Sequence, residues 1–163
     1  MSRPSPTAPT ATWLGVGTGW NWVEYHALGH DFASRGRRLS EQVPLLRRLW
    51  SEPLVTFDGE FDRVERGCIN PRPVRSIPVW FGGFGEAAFK RASRLGDGFS
   101  FAGDVETALG GLTRLRELLT AQGRDAAGFG RELILTRARS AADVVETAAQ
   151  WQALCARHDA VFV

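Results

Sequence analysis

A strand, a glycine turn, a helix and a second strand follow one another within residues 77–101 (IPVWFGGFGEAAFKRASRLGDGFSF). Residues 77–81 form a nearly all-apolar run, as expected of a parallel strand that is buried on both faces. The segment 82–85 then bends the backbone where side chains would obstruct it, and Glu86 opens a helix with apolar residues at helical spacing. Residues 98–101 form the next strand. This unit predicts a parallel sheet covered by helices.

The glycine turn of this unit has two interpretations. A glycine turn that leads into a helix presents free amide groups and the positive end of the helix dipole, and both attract phosphate. Glycine turns are also common in such units simply because the backbone must bend tightly there. The residues of the stretch alone favour neither interpretation.

Apolar strands and amphipathic helices alternate along the rest of the chain. The predicted strands are residues 11–16, 133–135 and 160–163, and the predicted helices are residues 23–28, 35–50, 104–122 and 140–156. Candidate N-caps lie at the start of three of these helices, at Asn21, Asp104 and Ser140. The last helix is expected to face inward at Val144, Ala148, Trp151 and Cys155. Strict alternation of this kind predicts an α/β fold with a parallel sheet. An open doubly wound sheet and part of a barrel both fit, and the periodicity does not distinguish them.

Residues 51–73 interrupt the alternation and contain no helical pattern. Two short apolar segments, 55–57 and 60–61, flank Asp58 and Gly59, which is a β-hairpin signal. We therefore expect an inserted β-hairpin and an irregular loop that leads to Pro71-Arg72-Pro73. Long loops inside compact domains are often functional lids.

Composition excludes several classes of function. The net charge of +2, with arginines interleaved among acids, gives no case for nucleic-acid binding, and no apolar run is long enough to cross a membrane. Residues 1–10 lack a hydrophobic signal core and are expected to be a disordered tail, with one domain over residues 11–163. Cys68 and Cys155 have no metal or redox spacing, so we expect no metal and two buried thiols in a cytoplasmic protein.

Individual polar residues carry weaker expectations. The arginines of residues 35–50 are expected to form a solvated helix face, and Asp97 to fix the turn before a strand. Glu24 is expected on a helix face, paired with an arginine. The histidines are expected at the surface because no carboxylate lies at a telling spacing; they are His26, His30 and His158. A dinucleotide or methyl-donor site at residues 15–19 is disfavoured, since a basic helix follows where a ribose-binding acid is expected.

Five landmarks in order resemble the luciferase-like monooxygenase family, and in particular its deazaflavin (coenzyme F420) dependent oxidoreductases. They are residues 14–50 (LGVGTGWNWVEYHALGHDFASRGRRLSEQVPLLRRLW), TFDGEF, the Pro-Arg-Pro turn, IPVWFGG and RLGDGF. Each landmark alone is weak, but as an ordered set they are specific, and the similarity covers residues 13–163.

The resemblance implies a partial TIM (β/α)8 barrel with the cofactor at the carboxyl ends of the strands. Residues 14–17, 77–81, 98–101, 133–136 and 160–163 would then be strands four to eight of the barrel. By this mapping the first three strand-helix units are absent, and the domain is an N-terminally truncated barrel.

The resemblance also implies which residues bind coenzyme F420 or FMN. One group would hold the cofactor phosphate: Gly82, Gly83, Phe84, Gly85 and Glu86. A second group would lie beside the flavin ring and the substrate: Gly17, Thr18, Gly19 and Trp20. The sequence departs from the family pattern twice, with Gly85 where a serine is common and with Trp20 where some members have an acidic proton donor. The catalytic residues are therefore unknown.

The implied function is that of a flavin- or deazaflavin-dependent oxidoreductase or monooxygenase, which acts on a small organic substrate by hydride transfer or oxygenation. The alternative is a catalytically inactive barrel fragment. An opened parallel sheet exposes unpaired backbone groups along its edge. Such a fragment would self-associate as a homo-oligomer or need a partner that supplies the complementing barrel half.

Overall fold

The computed structural model describes residues 12–135 and 140–157. The tail at residues 1–10 and the strand predicted at residues 160–163 lie outside them. The elements in chain order are β1 (Leu14–Val16), α1 (Trp22–Ala27), a 3-10 helix (Phe32–Ser34), α2 (Arg35–Ser51), β2 (Val55–Asp58), β3 (Arg63–Gly67), β4 (Val79–Gly82), α3 (Glu86–Leu95), β5 (Gly98–Gly103), α4 (Val105–Ala121), β6 (Gly130–Leu135) and α5 (Ala141–Arg157).

The main sheet contains four strands in the order β1, β4, β5, β6, and each neighbouring pair is parallel. This order is the chain order once the separate antiparallel hairpin β2–β3 is set aside. A doubly wound sheet reverses its strand order at a switch point, whereas the strands of a barrel follow the chain. The described sheet confirms the predicted α/β class and has the strand order of a barrel segment.

One face of the sheet packs against the helices. Alternate residues of β4 and β5 enter this core, and the ring of Phe101 lies edge-on to Trp151 of α5, with centroids 5.8 Å apart. Burial of each large apolar side chain contributes about 1.5–3 kcal/mol. Other buried members are Val43, Val79, Phe81, Ala88, Ala92, Phe99, Ala108, Leu112, Leu115, Leu119 and Phe129. The apolar stripes predicted for α3 and α4 are confirmed, but two residues of α5 that were predicted to face inward, Val144 and Ala148, are exposed.

The opposite face of the sheet, called the inner face below, is rich in glycine. Four of the nine inner strand positions are glycine, namely Gly15, Gly82, Gly98 and Gly130, and the largest inner side chain is that of Trp80, which is only 6% exposed. A β-carbon at Gly98 or Gly130 would collide with the Trp80 indole. The tryptophan side chain therefore covers two neighbouring strands and fills the inner face at that level.

Helix α2 holds the hairpin against the body of the protein. The Glu41 carboxylate accepts hydrogen bonds from the amides of Glu60, Phe61 and Asp62, at 2.6, 2.9 and 2.9 Å. The loop between β2 and β3 therefore spans residues 59–62. The predicted two-residue turn at Asp58 and Gly59 is wrong, because a distant carboxylate stabilises a longer loop.

Arginines of α2 also contact their surroundings, so the predicted solvated face is wrong in part. Arg47 Nη2 lies 2.6 Å from Asp97 Oδ2, which also accepts from the amide of Val79 at 2.8 Å. Asp97 thus has the turn-fixing role that was predicted. Arg38 Nη2 lies 3.5 Å from Asp62 Oδ1 on the hairpin loop.

Two further expectations need correction. Cys68 is exposed rather than buried, and the side chain of Cys155 is outside the described part. Glu24 accepts a hydrogen bond from the Asn21 side-chain amide at 2.8 Å and not from an arginine.

Among the described helices, none combines the length and apolar character needed to cross a bilayer, and no group of metal-ligating side chains was found in the described chain.

Candidate functional site

The loops that follow β1 and β4 meet at the carboxyl edge of the sheet. A β-carbon at Gly17, just after β1, would lie 3.7 Å from the carbonyl oxygen of Gly82, the last residue of β4. The two neighbouring strands are parallel, so both chains leave the sheet at the same edge. The structure thereby brings together the two segments that sequence analysis singled out separately.

The loop after β4 leads directly into α3. Gly83 and Gly85 have φ angles of +142° and +80°, which L side chains rarely adopt. Gly85 is the N-cap residue of α3, and no side chain caps this helix end. The first amides of α3 therefore retain their capacity to donate hydrogen bonds, at the positive end of the helix dipole.

The Glu86 side chain is engaged away from these amides. Its carboxylate accepts two hydrogen bonds from Arg114 of α4, at 2.9 and 2.7 Å, and lies 3.3 Å from Lys90 Nζ. The hydrogen bonds from Arg114 are the main reason why the pKa of Glu86 is lowered from 4.5 to about 2. Burial acts in the opposite direction, and the hydrogen bond from Lys90 lowers the pKa further. Glu86 can contribute its amide to this site, while its carboxylate fixes α3 to α4.

A side chain of α1 stabilises the loop after β1. The Tyr25 hydroxyl donates a 2.5 Å hydrogen bond to the carbonyl oxygen of Thr18, and Gly19 has a φ angle of +68° beside the Tyr25 ring. Asn21 caps α1 by accepting from the amide of Val23, as predicted. Trp20 is left 86% exposed.

Exposed aromatic side chains stand on both loops. Phe84, on the loop after β4, is 81% exposed, and Trp22 at the start of α1 is 63% exposed. Together with Trp20 they place aromatic surface around the carboxyl edge of the sheet. A flat aromatic ligand is well matched by such a surface, because ring stacking favours aromatic partners.

A chain of contacts connects the loop after β1 to the hairpin. The amide of His30 donates to the carbonyl oxygen of Tyr25 at 2.8 Å, and Arg38 Nη1 donates to His30 Nδ1 at 2.8 Å. Arg38 in turn contacts Asp62 on the hairpin loop. His30 therefore has a structural partner, His26 is exposed on α1, and His158 lies outside the described residues.

One polar pair near this edge was not predicted from the sequence. Ser100 Oγ donates a 2.6 Å hydrogen bond to Glu132 Oε2, and both residues lie on the inner face in register with Gly82. Their alternation with core residues was the available signal. Glu132 was not recognised as a strand residue because the strand was predicted to begin at Leu133, whereas β6 begins at Gly130.

A cavity of about 710 Å³ opens elsewhere on the surface, near the amino ends of the strands. It is lined by the end of α2 and the loop before β4, and includes Arg47, Trp50 and Arg72. Arg47 is paired with Asp97, and Arg72 donates to the carbonyl oxygen of Ser51 at 2.8 Å. This cavity does not include the glycine loops.

The described elements define a class: α/β proteins whose parallel strands follow the chain order, as in a barrel. The family model described as luciferase-like monooxygenase matches residues 12–160. The chain belongs to that family, and the resemblance found in the sequence is confirmed.

Two curated relatives give the range of similarity. The F420-dependent glucose-6-phosphate dehydrogenase of Intrasporangium calvum is 43% identical over 91 residues, which are 53% of this chain and 27% of that protein. The protein of the same name from Kineococcus radiotolerans is 33% identical over 155 residues, 90% of this chain and 46% of that protein. The chain thus spans between about a quarter and a half of these relatives.

Solved structures share the fold. An F420-dependent secondary alcohol dehydrogenase in complex with an F420-acetone adduct has a TM-score of 0.67 at 23% identity, over 77% of this chain and 39% of that chain. The EDTA monooxygenase EmoA from Chelativorans has a TM-score of 0.58 at 19% identity, over 88% of this chain and 39% of that chain. These likenesses show that the chain shares its fold with both proteins.

Proposed function

We propose that this chain binds coenzyme F420 or FMN where its two glycine loops meet, and that it belongs to an oxidoreductase acting on a small organic substrate. The observation that carries the proposal is the uncapped amino end of α3 beside Gly17 and Gly82. Both cofactors carry phosphate, and an uncapped helix start attracts phosphate through its amides and its dipole.

The residues at this edge fit such a cofactor. A β-carbon at Gly85 would meet nothing within 4 Å, so the space in front of the helix is open, and the amides of residues 83–87 would hold the phosphate. The exposed rings of Trp20 and Phe84 fit a flat ring system. Thr18, fixed by Tyr25, and its neighbours Gly17 and Gly19 would line the ring and substrate side.

In this proposal the protein binds and orients the cofactor and the substrate and excludes water, while the cofactor supplies the hydride or the activation of oxygen. The names of the curated relatives favour F420 over FMN, since several are F420-dependent glucose-6-phosphate dehydrogenases. The four described parallel strands would correspond to strands four to seven of a (β/α)8 barrel, whose active sites lie at the carboxyl ends of the strands. Trp20 stands where, by the resemblance, some members have an acidic proton donor, so in this proposal that role falls to another residue.

A binding titration with Ala87→Glu and Ala87→Gln tests the proposal. Ala87 is exposed in the first turn of α3. A glutamate there suits the helix dipole but repels phosphate, whereas glutamine has a similar shape without the charge. At a separation of about 5 Å the repulsion is roughly 1–3 kcal/mol, so we expect about a tenfold or greater loss of F420 and FMN affinity for Ala87→Glu alone.

Riboflavin, which lacks the phosphate, provides the ligand control. Its affinity should be the same for both variants. Failure of both F420 and FMN to bind the unaltered chain would refute the proposal, and so would equal affinities of the two variants for whichever of these cofactors binds.

A second candidate is the inactive fragment, which is favoured by one observation. The outer edge of β1 pairs with no strand among the described residues, and the inner-face side chains Trp13 and Ile134 are 38% and 50% exposed. We propose that this edge takes a complementing barrel half or a second copy of the chain. Light scattering with cofactor absorbance separates the two functions: an assembly with stoichiometric cofactor supports the enzyme, and a colourless assembly supports the fragment.

A further inference from the structure

The polar pair Ser100 and Glu132 occupies one row of the inner face. Gly82, Ser100 and Glu132 are directly opposite one another across β4, β5 and β6. The row behind them contains Trp80, Gly98 and Gly130, where the indole fills the inner face. The pair therefore stands immediately in front of an aromatic floor, on the side from which the glycine loops leave the sheet.

The two side chains are the only polar ones at inner-face strand positions of the described sheet. The residues that alternate with them, such as Phe99 and Phe101, belong to the helix-side core. The inner residues of the next row are Ala102 and Ile134. The inner face of the four described strands therefore presents one carboxylate on an otherwise apolar and glycine-lined surface.

The chemistry of the pair restricts what it can bind. An ionised carboxylate only accepts hydrogen bonds, and it can accept several. Ser100 donates to Oε2 of Glu132, which fixes the carboxylate and leaves Oε1 to accept from another donor. The charge repels an anionic group and favours a neutral or cationic donor such as a hydroxyl.

We propose that Glu132, positioned by Ser100, accepts a hydrogen bond from a hydroxyl group of the substrate. The substrate is then an alcohol or a polyol whose neutral hydroxyl end lies on the inner face, with any anionic group elsewhere. This inference rests on the proposed function, since it takes the adjoining glycine loops as the cofactor site. Glu132 would contact substrate, and Ser100 would act as a positioning residue.

Saturation-transfer NMR on the F420-loaded chain tests this inference, with glucose and propan-2-ol as probes. We expect transfer to both probes with the unaltered chain. Hydrogen bonds to a charged acceptor are about twice as strong as neutral ones, so Glu132→Gln should weaken glucose binding about tenfold. F420 affinity, measured in the same samples, should change less than about twofold, because the charge faces the substrate. The matched control is Glu106→Gln, which makes the same substitution of a carboxamide for a carboxylate at an exposed position of α4.

Variants of Ser100 test the positioning role and remain informative if Glu132→Gln fails to fold. Ser100→Ala removes the donor, whereas Ser100→Thr retains a hydroxyl. We expect glucose binding to fall in Ser100→Ala and to be rescued in Ser100→Thr, with circular dichroism unchanged. Equal binding by these two variants overturns the inference.

The remaining outcomes separate this inference from the proposed function. If the unaltered chain binds F420 but neither probe, or if Glu132→Gln binds F420 and glucose normally, only the inference is overturned, and the pair is a structural link between strands. If the unaltered chain does not bind F420, the proposed function fails first and the inference fails with it.

Discussion

The indole ring of Trp80 on β4 occupies the space that a β-carbon would need at Gly130 on β6, two strands away. The same ring crosses Gly98 on the intervening strand. A single side chain thus explains why glycine is present at two inner positions in succession. It also fills the inner face one row behind Ser100 and Glu132.

Gly130→Ala should therefore destabilise the protein. Insertion of a methyl group into a filled space costs about 1–3 kcal/mol, measured as a loss in the free energy of unfolding by urea. Gly15→Ala is the matched control, because Gly15 also faces inward from a strand and its β-carbon would meet nothing within 4 Å. The penalty at Gly130 should shrink in a Trp80→Leu background. Equal effects at Gly130 and Gly15 would contradict this account of the ring.

Gly85→Ala should also destabilise the protein, but for a conformational reason. With φ at +80° and ψ at −179°, Gly85 adopts a backbone conformation that is essentially restricted to glycine, which costs other residues about 1–3 kcal/mol. Its β-carbon would meet no neighbour, so steric contact is not the cause. Gly110→Ala, at an exposed position inside α4 that is equally open, should instead stabilise the helix by about 1 kcal/mol. Thermal unfolding of both variants checks the opposite signs.

The pair Glu86 and Arg114 should make stability depend on pH. Because Arg114 lowers the pKa of Glu86 in the folded protein from 4.5 to about 2, the pair stabilises the fold above pH 4.5. This contribution is lost as the pH falls from about 4.5 to about 2. The difference in unfolding free energy between the unaltered chain and Glu86→Gln should close over that interval.

Arg114→Gln provides the second measurement for this pair. Since the hydrogen bonds from Arg114 are the largest cause of the lowered pKa, this variant should lose most of the same pH dependence. Urea unfolding at a series of pH values measures both variants. If Arg114→Gln kept the full acid sensitivity of the unaltered chain, the assignment to this pair would be wrong.

Glu41→Gln should loosen the hairpin loop and leave the sheet intact. Burial raises the pKa of Glu41, but the hydrogen bonds from the amides of residues 60–62 outweigh it, and the pKa is lowered below 4.5. Loss of the charge weakens all three bonds, so hydrogen exchange at those amides should accelerate. Glu65→Gln, on the exposed part of β3, is the control. Unchanged exchange at residues 60–62 would contradict the role of Glu41.

Local sequence rules predicted much of this structure. The caps Asn21, Asp104 and Ser140 were identified because each stands immediately before an amphipathic run, and each side chain accepts from a first-turn amide. Gly85 and Glu86 at the start of α3 followed from the same rules. These features depend on neighbours only a few residues away.

The features that sequence analysis missed depend on distant partners. The hairpin loop was misassigned because Glu41, about 20 residues earlier, binds its amides. Glu132 was overlooked because two charged residues, Arg131 and Glu132, hide the start of β6. The contact between Gly17 and Gly82 likewise follows from strand pairing, which no local pattern reveals.

The central claim is that the amides around the start of α3 hold the cofactor phosphate. The most direct measurement is a two-dimensional amide NMR titration of the ¹⁵N-labelled chain with F420, with FMN and, in parallel, with riboflavin. We predict that the shifts produced by the phosphate-bearing cofactor that binds, and not by riboflavin, are largest at residues 83–87. If neither F420 nor FMN moved those amides, or if riboflavin moved them equally, the account would be contradicted.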